Sequence, residues 1–574
     1  MNNNVYEKKI RNFVNLLAII LIVFFYSSCQ QKVETKATGL HELIDNYNTF
    51  RNFNGAILVA EKGQVIFKKA YGYSNFELET ENTLDTKFRI ASITKEITAV
   101  LVMQEVENGN ITLDSRISDY LSEFPQEIGK QITIHQLLSH SSGILDFPDI
   151  PNFDVLERKP HFFDDFVNYL KDKELFFKPG SQFRYSNLNY AILANILEKV
   201  SGHSYKELMQ KRIFDPVGMN NSGIDDNITV VKNRAQGYYH KFLLDDNENA
   251  TYLDMSVVKG AGDLYSTVED LFKFDKALTD NLFITDESLT KILTPNKYPN
   301  MQFCGYGWDI RTENWGKEGD GIIVSGGAGS INGFKSNYRR FDSGNCIIVF
   351  QNYRGRSGNT LEVANTQEII NDVAAILYGR DYNLPLKSGV AILGRTLVNG
   401  DKESLNSVFD NIRENLNEST ELKGQEVLEL CYYFLNNDQQ PYIQEIMKLE
   451  LDYLFSNSIE LAQLTVLYYL SGEVQKADET LSKSIKLNEY GENLLNSVAY
   501  FFLNMNEQEA ALYLFKSNIR YYPESSNVYD SYAEALMKNG QRELAIKNYK
   551  KSLELNPDNE NAKETLNILK NKNQ

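Results

Sequence analysis

The sequence predicts an α+β domain, in which an antiparallel sheet flanked by helices contains a large and mostly helical insertion, followed by an all-α helical solenoid. Apolar and polar residues alternate from residue 55 to 75, short β-rich runs follow from 321 to 352, and helical patterns lie between these two regions. The last part of the chain repeats itself every 34 residues. We therefore expect an export segment at 1–29, an α+β domain at 38–380 and a helical domain at 388–574.

The first residues have the pattern of a bacterial export signal. Basic residues precede an apolar run from 13 to 26, and small residues follow it. The triplet "SSC" that ends at Cys29 resembles a lipoprotein lipobox, in which the cysteine is acylated and becomes the first mature residue, although Tyr26 departs from the usual leucine. We predict lipidation at Cys29 and a location outside the cytoplasm, on the membrane of the cell envelope. An uncleaved signal anchor is the alternative.

The β patterns at the two ends of the α+β domain predict strands that share one sheet. Residues 55–75 alternate on both sides of "EKGQ", which predicts a hairpin with Gly63 in its turn. The runs from 321 to 352 predict an antiparallel meander with a turn at "DSGN". A helix from about 361 to 378 is expected to close the domain.

The insertion between these strands is predicted to be helical and rich in loops. A helical pattern runs from Ser92 to about Asn108 and ends at Gly109. Further along, Ser266 and Glu269 have the spacing of a capping box, which predicts the start of another helix.

The C-terminal region has the 34-residue spacing of tetratricopeptide repeats. The residues that recur at this interval are Ala477, Ala511 and Ala545; Tyr468, Phe502 and Leu536; Gly472, Asn506 and Gly540; and Pro523 and Pro557. Small residues at helix crossings and a proline after the second helix are typical of this repeat. Repeat stacks usually present a concave binding face, so we expect a protein partner; the alternative is that the helices only support the preceding domain.

The composition is that of a globular protein and excludes one class of partner. The 574 residues are 42% hydrophobic and carry a net charge of −18. A nucleic-acid partner requires clustered lysine and arginine on one face, and no segment of that kind is present. We expect a small-molecule or peptide substrate and no nucleic acid.

Cysteine usage argues against a disulfide framework. Apart from Cys29, the chain has Cys304, Cys346 and Cys431, an odd number without a C-x-x-C pair. We expect all three to be small buried residues, with no metal site and no cofactor.

A serine and a lysine in "FRIASITK" are candidates for nucleophile and base. Ser92 and Lys95 lie three residues apart at the start of a predicted helix, so their side chains share one face. A hydroxyl becomes a useful nucleophile when an adjacent base that has lost its own proton accepts the hydroxyl proton. By itself the pattern is common, and two ordinary polar residues at a helix end would fit it equally well.

Five segments in order resemble the superfamily of serine β-lactamases and penicillin-binding proteins. They are "FRIASITK", "LLSHSSG", "PGSQFRYSNLNY", "AGDLYSTVEDL" and "INGF". The closest likeness is to the branch of class C β-lactamases, D-alanyl-D-alanine carboxypeptidases and related esterases, and it covers residues 40 to 380.

The resemblance implies a role for each matching residue. Ser92 would be the acylated nucleophile, Lys95 its proton partner and Tyr185 a proton shuttle to the leaving group. Asn187 would hold the amide of the substrate.

The resemblance also implies an oxyanion hole. One donor would be the backbone N–H of Ser92. The other would come from the strand at Gly329 and Ser330, which would contact the substrate.

The third family motif lacks its cation. Family members carry lysine or histidine on the strand before "GF", where it supports the tyrosine and binds a substrate carboxylate, whereas this chain has Gly327. The absence argues against β-lactam and D-alanyl-D-alanine carboxypeptidase activity. Lys335, Arg339 or Arg340 on the next strand could supply charge from another direction, with Lys335 and Arg339 on one face.

Two histidines belong to the family's structural segment. His135 and His140 are five residues apart, which is not the spacing of a helical metal pair, so neither is assigned a ligand role.

Two functional hypotheses follow. The first is an exported serine hydrolase that passes through an acyl-enzyme on Ser92 and acts on an ester, an amide or a D-amino-acid peptide. The second is a weakly active or inactive relative, retained as a scaffold whose repeats recruit an envelope partner.

Overall fold

A computed structural model describes residues 35–160, 163–171, 173–244, 246–314, 321–355, 361–416, 418–449, 451–488 and 490–571. The chain divides into two compact units, Met1–Pro385 and Leu386–Gln574. Cys29 and the rest of the predicted export segment lie outside the described residues. No helix within the described ranges is long and apolar enough to cross a membrane.

The first unit is built on an eight-stranded sheet. In chain order its strands are β1 (Gly55–Glu61), β2 (Gln64–Tyr71), β3 (Asn296–Tyr298), β4 (Met301–Cys304), β5 (Asp309–Glu313), β6 (Ile322–Ile331), β7 (Phe334–Phe341) and β8 (Cys346–Gln351). In space their order is β3-β4-β5-β6-β7-β8-β1-β2, with all neighbours antiparallel. The first and last strands therefore share one sheet, as predicted. Strands β3 to β5 were not predicted, and they extend one edge.

The predicted hairpin forms with Gly63 in its turn. Lys62 and Gly63 have φ angles of 50° and 75°, the left-handed pair that a tight two-residue β-turn requires. The turn therefore joins β1 to β2 in the register that places alternate residues of β1 on opposite faces of the sheet.

Five longer helices pack around the sheet. They are α1 (35–51), α2 (Ile93–Glu107), α3 (Asn187–Ser201), α4 (Val268–Thr279) and α5 (Thr366–Tyr378). Shorter helical segments of the insertion are Ile117–Tyr120, Gln126–Gly129, Ile134–Leu138, Phe147–Asp149, Phe153–Leu156, Phe163–Leu170, Tyr205–Met209, Gln210–Phe214, Asp215–Val217, Met255–Val258 and Asp286–Ile292. Short strands outside the main sheet are Tyr73–Asn75, Thr80–Glu81, Phe88–Arg89, Gly223–Ile224, Tyr238–Lys241, Asp246–Asn249, Leu264–Ser266 and Tyr353–Gly355.

The sheet has a hydrophobic core on each face. Leu58 and Ile348 belong to the core that contains α2, α3 and α4. Their neighbours Val59 and Ile347 belong to the core formed with α1 and α5. Successive strand residues thus alternate between two helical layers, which explains why β8 is buried along its whole length.

The predicted capping box at Ser266 is wrong by one residue. Ser266 ends the strand Leu264–Ser266, and Thr267 is the residue that accepts the N–H of Asp270 at the start of α4. Ser266 instead lies 2.8 Å from the Ser222 hydroxyl. Both Ser266 and Thr267 have a hydroxyl group that could cap the helix. Because Ser266 pairs with Phe88 in the strand, the helix begins one residue later and Thr267 is its cap.

Where the structure describes it, the second unit is helical apart from a pair of two-residue strands, Lys387–Ser388 and Thr420–Glu421. Its α-helices are Gly389–Val398, Leu405–Glu414, Gly424–Asn436, Gln440–Met447, Ser458–Leu470, Val474–Lys486, Gly491–Asn504, Gln508–Tyr521, Ser526–Lys538, Arg542–Leu555 and Glu560–Asn571. A 3₁₀ turn spans Asp452–Leu454.

The helices of this unit fit tetratricopeptide-like repeats. Helices that begin at Val474, Gln508 and Arg542 keep the 34-residue interval. The three repeating alanines of these helices are completely buried at the helix crossings. The turn residues Gly472, Asn506 and Gly540 all have positive φ angles, of 87°, 65° and 73°. A left-handed residue is the usual end of a helix, so the sequence period reproduces the same turn three times.

The three cysteines of the described residues are free and buried, as predicted.

Candidate active site

Ser92 lies at the first turn of α2, where its hydroxyl is not used as a helix cap. The side chain makes no capping hydrogen bond, although the residue occupies the N-cap position. The preceding Ala91 has φ of 48°, a left-handed conformation that costs free energy in a residue with a side chain. This turn leaves the Ser92 hydroxyl available, and its Oγ lies 2.8 Å from the Tyr185 hydroxyl.

Lys95 is buried at the centre of the site. It is 1% exposed, and its Nζ donates to Ser92 Oγ at 3.2 Å, to Asn187 Oδ1 at 2.8 Å and to the carbonyl of Ala261 at 2.7 Å. These three contacts fix Nζ of Lys95 beside Ser92.

Tyr185 joins this group through its ring as well as its hydroxyl. Lys95 Nζ lies 4.9 Å from the ring centroid, and His140 stacks on the ring at 4.6 Å. Burial and the charge of Lys95 lower the pKa of His140 to about 3, so its imidazole is neutral at pH 7. His140 Nδ1 accepts the N–H of Ser186 at 3.2 Å, which fixes the ring plane.

The orientation of the Asn187 amide is set by Asp146. The carboxylate of Asp146 accepts the backbone N–H of Asn187 at 2.7 Å and its Nδ2 at 3.1 Å. The amide oxygen therefore points at Lys95. Burial raises the pKa of Asp146, while its hydrogen bonds and the charge of Lys95 oppose that rise. An acidic group at the N-terminus of α3 also complements the helix dipole.

Gly329 brings strand β6 against the turn that carries Ser92. A Cβ at this position would lie 2.3 Å from the Ile90 carbonyl oxygen and 2.3 Å from Ser336 Oγ, so only glycine permits the contact. The next residue, Ser330, is exposed. The residues proposed for the oxyanion hole thus lie on a strand that contacts the segment directly before Ser92.

The buried carboxyl group of Glu96 fills the space beside Gly327 that a larger side chain would need. A Cβ at this position would lie 2.1 Å from Glu96 Oε1. Glu96 is 1% exposed, and neither carboxyl oxygen has a hydrogen-bond partner among the described residues. Burial raises the pKa of Glu96 well above 4.5. The space that the lysine or histidine of the third family motif would need at position 327 is therefore occupied by the carboxyl group of Glu96.

The basic residues of β7 point in different directions. Arg340 lies 3.2 Å from Asp275 of α4, and Arg339 lies 3.9 Å from Asp309 of β5. Neither of these arginines bonds to the Ser92 group. Lys335 lies opposite Ser330 across the β6–β7 pair.

The sequence profile of the family described as Beta-lactamase matches residues 40–363, more than half of the 574 residues. The chain belongs to this family. It is a member of the superfamily of serine β-lactamases and penicillin-binding proteins, as its motifs indicate.

Named relatives lie within the same superfamily. A penicillin-binding protein of Bacillus subtilis (strain 168) is 27% identical over 366 residues, which cover 61% of this chain and 78% of that protein. The teichoic acid D-alanine hydrolase of Staphylococcus aureus (strain MRSA252) is 29% identical over 236 residues, which cover 41% of this chain and 56% of that protein. The octameric penicillin-binding protein homologue from Pyrococcus abyssi has a TM-score of 0.51 at 27% identity, over 60% of this chain and 78% of that one.

The fold of this Beta-lactamase family member brings together four of the predicted side chains. Ser92, Lys95, Tyr185 and Asn187 form one hydrogen-bonded group although about 90 residues separate the two pairs. Sequence reasoning missed Asp146, because nothing in the sequence ties it to Asn187, which lies 41 positions later.

The geometry permits proton exchange at one hydroxyl. Ser92 Oγ is within hydrogen-bond distance of both an amine and a phenol, the arrangement that activates a serine. In the part of the chain that the structure describes, no group of three or more His, Cys, Asp or Glu side chains could hold a metal ion.

Proposed function

We propose that this protein is a serine hydrolase that forms an acyl-enzyme on Ser92. One observation carries the proposal: Ser92 Oγ lies 3.2 Å from Lys95 Nζ and 2.8 Å from the Tyr185 hydroxyl. Membership of the family supports it further, since all four side chains match the family motifs in order.

The proposed reaction has two halves. Ser92 Oγ attacks the substrate carbonyl carbon while its proton passes to Lys95 or Tyr185, whichever of the two has given up its own proton, and backbone N–H groups of Ser92 and Ser330 bind the oxyanion. When the bond to the leaving group breaks, Tyr185 returns the proton to the departing oxygen or nitrogen. Water then attacks the acyl carbonyl by the reverse route, releases the acid and restores the Ser92 hydroxyl. Asn187 holds Lys95 and would contact the substrate amide.

The proposed substrates are esters, amides and D-amino-acid peptides. The relative named teichoic acid D-alanine hydrolase supports an acyl bond of this kind. β-Lactam hydrolysis and D-alanyl-D-alanine carboxypeptidase activity are not proposed, because Gly327 lacks the family cation and its space is taken by Glu96.

Labelling with a fluorescent fluorophosphonate tests the proposal. We expect the wild type to be labelled and Ser92→Ala to lose the label. Ser181→Ala is the matched control, since Ser181 is exposed and bonds only to the Lys178 carbonyl among the described residues. Folded wild-type protein that no fluorophosphonate labels would contradict the proposal and favour the inactive scaffold.

We also propose that the repeats bind a protein partner. A largely apolar cavity of about 350 Å³ in the second unit is bordered by Lys483 and Lys486, a lining that suits an acidic, partly apolar segment. The test is cross-linking of the full chain in its native envelope. Lys483→Glu with Lys486→Glu should remove a cross-linked species that the exposed control Lys538→Glu retains, and an unchanged pattern would contradict the proposal.

Export and membrane anchoring through Cys29 are proposed on the sequence pattern alone. Metabolic labelling with an alkyne fatty acid should modify the wild type and not Cys29→Ala, and Cys29→Ala should leave the membrane fraction. Equal labelling of the two proteins would contradict the lipid anchor.

A further inference from the structure

One of the three acceptors that hold Lys95 lies on a loop rather than at a helix start. The carbonyl of Ala261, which accepts from Lys95 Nζ at 2.7 Å, belongs to the loop 259–263. The other two acceptors, on Ser92 and Asn187, lie at the starts of α2 and α3. A packed helix fixes the residues at its start, whereas a loop carbonyl keeps its place only through contacts of the loop itself.

The backbone of Gly260, the residue before Ala261, is held at both of its polar groups. Its N–H donates to Asp263 Oδ1 at 3.0 Å, and its carbonyl accepts from the Thr98 hydroxyl of α2 at 2.8 Å. Gly260 has φ of 73°, and a Cβ there would lie 2.7 Å from the Tyr190 carbonyl oxygen of α3, so only glycine fits. The loop is therefore held between α2 and α3, and Asp263 supplies the side-chain acceptor that holds it.

Asp263 is a buried acid without a counter-charge of its own. It is 2% exposed and makes no ion pair with any described residue. Of the charged groups near it, Lys259 is paired with Glu198 at 2.7 Å, and Asp225 is another acid. Burial raises the pKa of Asp263 to about 7, so its ionisation lowers the free energy of unfolding as the pH rises to neutral. Groups with such shifted pKa values cluster at functional sites.

We propose that Asp263 is a positioning residue for the proton transfer between Lys95 and Ser92. It acts through the loop: its carboxylate fixes Gly260, and Gly260 fixes the Ala261 carbonyl to which Lys95 donates. The inference rests on the proposed function, because the place of Lys95 matters to the reaction only if Lys95 exchanges a proton with Ser92. A displacement of about 1 Å in a group that positions reacting atoms can cost about 10²-fold in rate, so a loosened loop should slow acylation.

Hydrolysis of phenyl acetate by the full chain tests the proposal. Asp263→Leu removes the acceptor and should lower kcat/KM by about 10- to 100-fold. Asp263→Asn keeps an oxygen for the Gly260 N–H at the same size and should stay within about threefold of the wild type. Asp270→Leu is the matched control and should stay within about twofold. Asp270 is also 1% exposed and accepts a backbone N–H, that of Asn221 at 2.7 Å, but it bonds to no residue of the loop 259–263.

Urea unfolding followed by tryptophan fluorescence shows which variants are folded. Asp263→Ala, which lacks the acceptor without adding bulk, repeats the test if Asp263→Leu does not fold. A merely structural role predicts that the loss of activity follows the loss of stability, so that Asp270→Leu loses as much activity as Asp263→Leu. An equal loss in these two folded variants would overturn the proposal.

Hydrogen exchange of the peptide that contains residues 259–263 tests the contact without turnover. We expect faster exchange in Asp263→Leu and wild-type exchange in Asp263→Asn, because only leucine leaves the Gly260 N–H without an acceptor. Wild-type protein that hydrolyses no ester would refute the proposed function, while faster exchange in Asp263→Leu would still support the loop contact. Hydrolysis that Ser92→Ala abolishes but Asp263→Leu leaves unchanged would keep the proposed function and overturn this inference. Equal losses of activity in Asp263→Asn and Asp263→Leu, or unchanged exchange in Asp263→Leu, would also overturn it.

Discussion

Replacing the buried Glu96 by methionine should stabilise the protein. Glu96 is 1% exposed, and both of its carboxyl oxygens lack a hydrogen-bond partner among the described residues. A buried polar group without a partner costs about 1–3 kcal/mol, and methionine has a similar length without that group. We therefore expect Glu96→Met to raise the free energy of unfolding of the first unit by about 1–3 kcal/mol at pH 7.

The stabilisation should depend on pH in a defined direction. Burial raises the pKa of Glu96 well above its ordinary value of 4.5, so the folded protein keeps a proton that the unfolded chain releases. Below about pH 4.5 Glu96 is protonated in both the folded and the unfolded state, and the free energy of unfolding is at its highest with respect to this group. As the pH rises towards the folded-state pKa, only the unfolded chain releases the proton, so the free energy of unfolding of the wild type falls. The advantage of Glu96→Met should therefore grow from pH 4.5 upward.

The same helix offers an acid of opposite behaviour as a control. Glu105 is completely buried, but it is paired with Arg212 and accepts Asn110 Nδ2 at 2.6 Å. Removing one partner of a buried pair typically costs about 3–5 kcal/mol, and Arg212 is partly exposed, so Glu105→Met should destabilise the first unit by about 3 kcal/mol.

Urea unfolding followed by tryptophan fluorescence measures both variants. The only two tryptophans of the chain, Trp308 and Trp315, belong to the first unit, so the signal reports that unit alone. A Glu96→Met protein that is less stable than the wild type, or a stability difference that does not change between pH 4.5 and pH 8, would refute the reasoning.

Three further predictions concern the site and its surroundings. Tyr185→Phe should lower kcat about 10²-fold or more with little change in KM, because the proton shuttle is lost; a decrease below twofold in steady-state ester hydrolysis would contradict that role. Burial raises the pKa of Asp263 from 3.8 to about 7. The free energy of unfolding of the wild type should therefore fall as the pH rises from about 4 to about 7, because only the unfolded chain releases the proton in that range. Asp263→Asn should gain up to roughly 4 kcal/mol relative to the wild type across that range in urea titrations, and a flat difference would count against it. Gly327→Ala should destabilise the protein through its contact with Glu96; a double-mutant cycle with Glu96→Ala should give a coupling of about 0.5–3 kcal/mol, and strict additivity would exclude the contact.

The central sheet was predictable where its strands have a clear local pattern. The hairpin at Gly63 has a period of two and the meander from 321 to 352 consists of short β-rich runs, and both formed as expected. Strands β3 to β5 are three to five residues long, which is too short for a period to be visible. β5 pairs with β6, and β4 and β3 are added to it in turn, so their pairing depends on neighbouring strands of the sheet rather than on local sequence.

The proposed catalytic group was predictable as a set of motifs, but its surroundings were not. Ser92, Lys95 and Tyr185 are linked to one another by short motifs in a known order. Asp146 makes its contacts across the fold, and no spacing connects it to the segment that it contacts. Tertiary contacts of this kind become visible only in the structure.

The repeats were predictable because each one forms the same local structure. The left-handed turn residues and the buried alanines recur at one interval, so the sequence period records a repeated contact. Such contacts lie between neighbouring helices, which local sequence determines more directly than a sheet edge.

Identification of the acylated residue tests the central claim most directly. The wild type, Lys95→Met and Ser92→Ala are incubated with a fluorophosphonate, digested and analysed by peptide mass spectrometry. The account predicts one adduct, on Ser92, that forms far more slowly in Lys95→Met and is absent from Ser92→Ala. An adduct on a different residue, or one that forms at the wild-type rate in Lys95→Met, would contradict a Ser92 nucleophile activated by Lys95.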